Sequence, residues 1–242
     1  MPERDDHTFR FRRFEVCQKS ATMKVCTVAT LFGAMAPIRG GERVVDIGTG
    51  TGLLALMAAQ LGAGRITAIE IDPGACADAA HNIACSPWAE LIECVPGSLQ
   101  AFCSSPTERF GLVISNPPFF ERHSKSHDVR RRNARHTDSL SYEQLIDGVQ
   151  QLLSDDGLFY VLLPSHATNR FVEIGRRDGF ECIAKTDLQH FVDGPIKVSA
   201  LTFARHVQPF RHDVIVIYRS NREYAPQSTH YLRPFLLRFA NQ

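Results

Sequence analysis

Between Arg43 and Phe203 the chain alternates short apolar runs with segments of helical periodicity, and this alternation restricts the fold more than any other feature. The apolar runs are Arg43–Ile47, Arg65–Ile71, Glu90–Val95, Phe110–Ser115, Leu158–Leu163, Phe180–Thr186 and Lys197–Phe203. The helical patterns are Leu53–Leu61, about Pro73 to Cys85, about Tyr142 to Leu153, and Ala167–Arg177. A strand that rejoins its sheet through a helix must cross over, which makes the two strands parallel. The expected fold is α/β, a doubly wound and mainly parallel sheet of seven strands. Ligands of such sheets sit at the carboxyl ends of the strands, near the switch in strand order. One domain spans residues 1–242, with 1–40 and 205–242 as extensions packed on its core.

Composition narrows the function classes. Of 242 residues, 44% are apolar and 22% charged, which fits a globular protein and excludes a disordered or repetitive one. No apolar run reaches the roughly 18 residues of a membrane span. The charged start, MPERDDHTFRFRRFEV, lacks the apolar stretch of a secretory leader. The expectation is a cytoplasmic protein without membrane contact. The 7 cysteines contain no CxxC pair, so they read as reduced thiols filling small apolar gaps, and no metal is expected. The net charge of +1 hides two basic segments. Glu121–His136 carries six cations against two anions, and Arg205–Arg238 the same. Two such segments in a near-neutral chain point to a polyanionic partner.

The first apolar run ends in Asp46-Ile47-Gly48-Thr49-Gly50-Thr51-Gly52. Glycines allow close approach of backbone to a ligand, and a loop opening a helix presents free N–H groups. The spacing is G-x-G-x-G, not the G-x-G-x-x-G of dinucleotide loops. A pyrophosphate would gain nothing from Asp46, whereas an ammonium group would. S-adenosylmethionine has an amino-acid end and no phosphate. Glu70, 24 residues on, can accept both hydroxyls of a ribose, with Asp72 as the competing choice unless it caps the helix opening at Pro73.

Asn116-Pro117-Pro118-Phe119 directly follows the fourth apolar run. Successive prolines have fixed φ and no N–H, so the Pro117 carbonyl is a rigid acceptor. The Asn116 side chain offers a second acceptor. Two convergent acceptors suit an –NH2 group held by both hydrogens. Held so, its delocalised lone pair turns toward an electrophile. Phe119 supplies a face on which a planar base can stack.

These motifs resemble those of class I S-adenosylmethionine-dependent methyltransferases, a Rossmann-like fold, and NPPF resembles the signature of their amino-group subset. Three further segments narrow the resemblance: Phe9–Pro37, His81-Asn82-Ile83-Ala84-Cys85-Ser86-Pro87-Trp88, and Ala134-Arg135-His136. They are similar to the bacterial tRNA(Val) adenine N6-methyltransferases, which modify the adenine 3′ of the anticodon. The likeness runs from about Phe9 to Phe239. It implies Asn116, Pro117 and Phe119 as catalytic residues. It implies cofactor contacts from Asp46, Gly48, Gly50, Gly52, Glu70, Ile71, Gly97, Ser98 and Asn116. The chain departs from the family pattern at Cys26, where a glycine is usual, and at Val28 and Ser98, where acids are usual.

Arg130, Arg131, Arg132 and Arg135 follow the Asn-Pro turn closely enough to line its mouth and hold RNA phosphates. Arg219, Arg222, Arg233 and Arg238 extend the basic character, and the aromatics of Phe9–Phe14 read as core more than as a stacking platform. The expected partner is tRNA at its anticodon loop, bound by a monomer. Three other readings stand beside it: a protein glutamine N5-methyltransferase, a non-catalytic module that binds the cofactor or RNA, and a NAD-dependent oxidoreductase. The glycine spacing disfavours the last.

Overall fold

The computed structural model describes residues 7–21, 23–104, 108–117, 140–221 and 223–240. A short hairpin comes first, β1 (Thr8–Arg10) and β2 (Glu15–Cys17), followed by α1 (Thr27–Ala34). The alternating core follows: β3 (Val44–Ile47), α2 (Leu53–Leu61), β4 (Ile66–Glu70), α3 (Pro73–Ala84), β5 (Ile92–Pro96), α4 (Leu99–Cys103) and β6 (Phe110–Ser115). After it come α5 (Tyr142–Leu152), β7 (Leu153–Pro164), α6 (Thr168–Arg177), β8 (Glu181–Gln189), β9 (Ile196–Ala204) and β10 (Arg211–Val216). A small pair, β11 (Tyr218–Ser220) and β12 (Glu223–Tyr224), and α7 (Pro226–Leu232) complete the described chain.

The central sheet runs β10, β8, β9, β7, β6, β3, β4, β5. β9 lies antiparallel to both its neighbours, and every other pairing in the sheet is parallel. The α/β, doubly wound, mainly parallel architecture is as expected, but the sheet has 8 strands, not seven. The added strand is β10, an edge strand beside β8. Arg211, His212, Asp213 and Val214 are all exposed, so no apolar alternation marks it in the sequence.

Strand alternation sends side chains to two faces. Leu112, Ile114, Leu158, Tyr160 and Leu162 join Phe32, Met57 and Phe235 in one buried cluster. Val45, Ile47, Val113, Phe159 and Val161 join Leu145, Val149 and Phe171 in the other. Each fully buried phenylalanine of this kind contributes on the order of 1.5–3 kcal/mol from burial. α1 was not foreseen because Ala29 to Ala34 are all buried, which leaves no polar face to set a period. It packs against α2 closely enough that a Cβ on Gly33 would lie 2.7 Å from Met57 Sδ. α2 ends at Gly62, whose φ of 103° is left-handed.

The aromatics of the first hairpin are core, as read from the sequence. Phe11 and Phe14 are buried and stack at 4.5 Å, and Phe14 meets Trp88 at 6.0 Å. Arg13 lies over the Trp88 ring at 5.0 Å. Phe11 bridges to Leu236, and the Arg12 N–H donates to the Phe235 carbonyl at 2.8 Å. All seven cysteines are free thiols. Cys94, Cys103 and Cys182 pack half-buried against the two cores, as expected of gap-filling thiols, whereas Cys26 and Cys85 are exposed. No helix among the described residues is long and apolar enough to cross a membrane.

Candidate active site

The sheet brings the two motifs side by side. β3 and β6 are parallel neighbours with Ile47 opposite Ser115, so the glycine loop and Asn116 leave adjacent strands at the same level. The Ser115 hydroxyl donates to the Ile47 carbonyl at 2.9 Å and ties the two exits together. β4 lies on the other side of β3, with Ile69 opposite Ile47. Glu70 in turn pairs with Pro96, and the Gly97 N–H donates to the Glu70 carbonyl at 2.8 Å. Asp46, the glycine loop, Glu70, Gly97 and Asn116 therefore share one stretch of the carboxyl edge, where a ligand is expected.

The glycines of the loop serve different ends. Gly48 and Gly50 have φ of 71° and 58°, and a Cβ on either would meet nothing within 4 Å. They border open space that a ligand can fill. Gly52, at φ 81°, instead lets the first turn of α2 approach α3, since its Cβ would meet that of Ala79 at 3.5 Å.

Two buried oxygens in this site have no hydrogen-bond partner among the described residues. One is Asp46 Oδ1 and the other Asn116 Oδ1. Asp46 is fully buried, and its Oδ2 accepts the Thr49 hydroxyl at 2.5 Å. Burial pushes its carboxyl up to about 7, the Thr49 hydroxyl opposes the rise, the Glu70 charge adds to it, and the Ala55 backbone N–H in the first turn of α2 opposes it weakly. Leaving such a group unpaired costs about 1–3 kcal/mol, so each marks a place where a donor is wanted. Asp46 wants a cation. Asn116 wants an N–H. Pro117 beside it is buried and has no N–H to offer.

Glu70 is 8% exposed and held in one pose. Its Oε2 accepts the Gly50 N–H and its Oε1 the Asp72 N–H, both at 2.8 Å. Each oxygen keeps a free lone pair, which suits the two hydroxyls of a ribose. The Asp72 carboxylate caps α3, accepting the Ala75 N–H at 2.8 Å. Ile71 is 51% exposed, an apolar surface at the end of β4 suited to a planar base. Ser98 caps α4, its hydroxyl accepting the Ala101 N–H at 3.1 Å. An unpaired buried carboxylate, a fixed carboxylate pair of acceptors, an open glycine cradle and an exposed apolar face together fit the ammonium, ribose and adenine of S-adenosylmethionine.

Sequence reasoning did not single out the latch that closes this region. Asn82 is 2% exposed and uses its whole amide. It accepts the Cys17 N–H at 2.8 Å and donates to the carbonyls of Cys17 at 2.8 Å and Thr51 at 2.9 Å. One turn earlier on α3, Asp78 accepts the N–H groups of Ser20 at 2.7 Å and Ala21 at 3.0 Å. α3 thus fastens the segment after β2 beside the glycine loop. The signal was the i, i+4 spacing of two polar residues on an otherwise small and apolar helix. Phe119, Arg130, Arg131, Arg132, Arg135 and Arg222 lie outside the described residues. Arg238 lies over the rings of Tyr224 and Phe239, at 4.8 and 5.8 Å, so part of the C-terminal basic character is spent on packing.

Comparison with known proteins agrees with this geometry. The family model of the ribosomal protein L11 methyltransferases matches residues 22–116, the stretch that carries the glycine loop, Glu70 and Asn116. Among solved structures, a predicted O-methyltransferase of Agrobacterium tumefaciens superposes with a TM-score of 0.64 at 15% identity, over 84% of this chain and 94% of that one. The ribosomal protein L11 methylase of Lactobacillus delbrueckii gives 0.57 at 18% identity, over 79% and 84%. At such identities these show the fold alone, that of methyltransferases. Sequence relatives reach further. A tRNA1(Val) (adenine(37)-N6)-methyltransferase of Proteus mirabilis is 35% identical over 95% of this chain and 93% of its own length. One of Trichodesmium erythraeum is 34% identical over 96% and 98%. Identity of that extent, from the first hairpin to the last helix, means that the chain belongs to the tRNA1(Val) (adenine(37)-N6)-methyltransferase family.

Proposed function

We propose that this protein transfers a methyl group from S-adenosylmethionine to N6 of adenine 37 in tRNA1(Val), acting as a cytoplasmic monomer. The observation that carries the proposal is the unpartnered, buried Asn116 Oδ1 on the strand next to an unpartnered, buried Asp46 Oδ1. One acceptor awaits an amine to be alkylated. The other awaits the charged end of the donor.

The cofactor supplies, when bound, an electrophilic methyl on a sulfonium. The chain supplies position and polarity. Asn116 Oδ1 and the Pro117 carbonyl accept the two N6 hydrogens of adenine and hold its nitrogen with the lone pair turned out of the ring plane. Positive charge grows on that nitrogen as the new bond forms, and the two acceptors stabilise it most at that moment. Asp46, Glu70, Ile71 and the open loop at Gly48 and Gly50 hold the donor, so two reactants meet in a fixed orientation. On the sequence alone, Phe119 is assigned the stacking face and Arg130, Arg131, Arg132 and Arg135 the phosphate contacts. An adenine in a loop is the less costly base to unstack.

The test is labelled methyl transfer to unmodified tRNA1(Val), followed by digestion to nucleosides. N6-methyladenosine at position 37 is expected. In Asn116→Ala, transfer should fall at least 100-fold, the scale of losing one transition-state hydrogen-bonding group. Affinity for S-adenosylhomocysteine should stay within about threefold of wild type, since Asn116 faces the amine. A wild-type protein that binds the cofactor yet methylates no tRNA would refute the proposal.

A further inference from the structure

β8 and β9 form a hairpin that projects beyond the site. Ser115 lies level with Val161, Val161 with Leu201, and Leu201 with Lys185. β8 runs four more residues to Gln189 before the chain turns. At about 3.3 Å per residue the hairpin stands roughly 13 Å above the level of Asn116's strand end.

The tip is built rigidly and then left uncovered. The Gln189 amide donates to the Gly194 carbonyl at 2.7 Å, and the Gly194 N–H donates to the Phe191 carbonyl at 2.9 Å. The Tyr218 N–H donates to the His190 carbonyl at 3.0 Å, and the Tyr218 hydroxyl lies 2.9 Å from the Thr27 hydroxyl at the start of α1. His190 meets Phe191 edge-on at 4.7 Å and Tyr218 at 4.9 Å. Yet Phe191 is 40% and Val192 64% exposed on this braced tip. Exposed Lys197 flanks the tip, with exposed Arg219 following Tyr218. The anions nearby are Asp193 on the tip and Glu223, which lies 3.9 Å from Arg219.

We infer that His190 and Phe191, backed by a Tyr218 that is itself stacked on Tyr224 at 4.9 Å, form a stacking shelf for the unpaired nucleotides that flank the target adenine. The inference rests on the tRNA reading given above. Single-stranded RNA exposes base faces that aromatic side chains can take, and a loop with one base drawn out has such faces to offer. The tip lies at the same carboxyl edge as Asn116, three strands to the side and about 14 Å across the sheet, where it would hold the neighbours while the target enters the site. Lys197 and Arg219 are placed to meet the phosphates between them.

The experiment uses the full chain and unmodified tRNA1(Val). Phe191→Ala is compared with Phe191→Trp and with Val207→Ser. Val207 is 83% exposed and follows β9 at the opposite edge of the sheet, so it controls for lost apolar surface. Phe191→Ala should raise the tRNA Kd and KM about tenfold or more, with kcat at saturating tRNA and affinity for S-adenosylhomocysteine within twofold of wild type. Phe191→Trp should restore tRNA affinity, and Val207→Ser should not change it. If Phe191→Ala leaves the tRNA Kd within twofold, the shelf does not take RNA, and the exposed tip belongs to a protein partner or a second copy. A wild type that fails to methylate tRNA refutes the enzymatic reading instead, and that result is read before any variant is made.

Discussion

Replacing Asp46 by Asn separates what the carboxylate costs the fold from what it gives the cofactor. Its pKa is raised from an ordinary 3.8 to about 7, chiefly by complete burial. A carboxyl raised in the folded state keeps its proton where the unfolded chain has released it. Stability therefore falls as pH rises between about 4 and 7, and the penalty is constant above. About three pH units at 1.36 kcal/mol each make the penalty about 4 kcal/mol. Asparagine can still accept the Thr49 hydroxyl and never ionises. Urea unfolding at pH 5 and pH 8 should show Asp46→Asn gaining on wild type at the higher pH, by as much as about 3 kcal/mol relative to its standing at pH 5. Cofactor binding should move the other way. An ammonium beside Oδ1 favours the ionised carboxylate, so wild-type affinity for S-adenosylhomocysteine should rise up to tenfold per pH unit toward pH 7 and level off beyond. Calorimetry in buffers of different ionisation enthalpy should register proton release near pH 7 in wild type and not in Asp46→Asn. Equal pH profiles for the two proteins, in stability or in binding, would refute the assignment of Asp46 as the buried anion awaiting a cation.

Two further outcomes follow from hydrogen bonds already described. Asn82→Ala strands the Cys17 N–H and the carbonyls of Cys17 and Thr51. It should cost on the order of 3 kcal/mol in stability, weaken S-adenosylhomocysteine binding, and speed hydrogen exchange at Cys17, Ser20 and Ala21; unchanged exchange there would mean that the latch is not needed. Asp187, 2% exposed, is pushed up by burial, but bonds from Ser199, His212 and Lys185 outweigh this and hold its carboxyl below the usual range. Its stabilisation is present above the ordinary carboxylate range and lost as pH falls through its own lowered range, so Asp187→Ala should cost about 2 kcal/mol at pH 7 and progressively less as the pH is taken below the ordinary carboxylate range, measured by chemical unfolding.

Where a segment's own pattern matched its surroundings, the sequence was enough. Leu53–Leu61 and Phe110–Ser115 occupy the residues expected of them, because the glycine loop fixes where one begins and prolines fix where the other ends. The adjacency of Asp46, Glu70 and Asn116 was legible for the same reason, since parallel strands deliver their ends to one edge. Other parts were settled by context. β10 is a strand because β8 offers it a ladder, not because RHDVIV alternates. α1 is buried on nearly all sides, which erases its period. The Asn82 and Asp78 latch joins positions up to 65 residues apart, and no local pattern carries that pairing. The exposed Phe191 looked like any residue of a turn until its height above Asn116's strand was known.

The pairing of Phe11 with Leu236 joins places 225 positions apart, and Arg12 is bonded to Phe235 beside it. Translation delivers the first of these segments long before its companion. Phe11, buried in the folded protein, gains this neighbour only once the residues after α7 have emerged. The first hairpin is therefore fastened late in folding, through a contact of very long sequence separation.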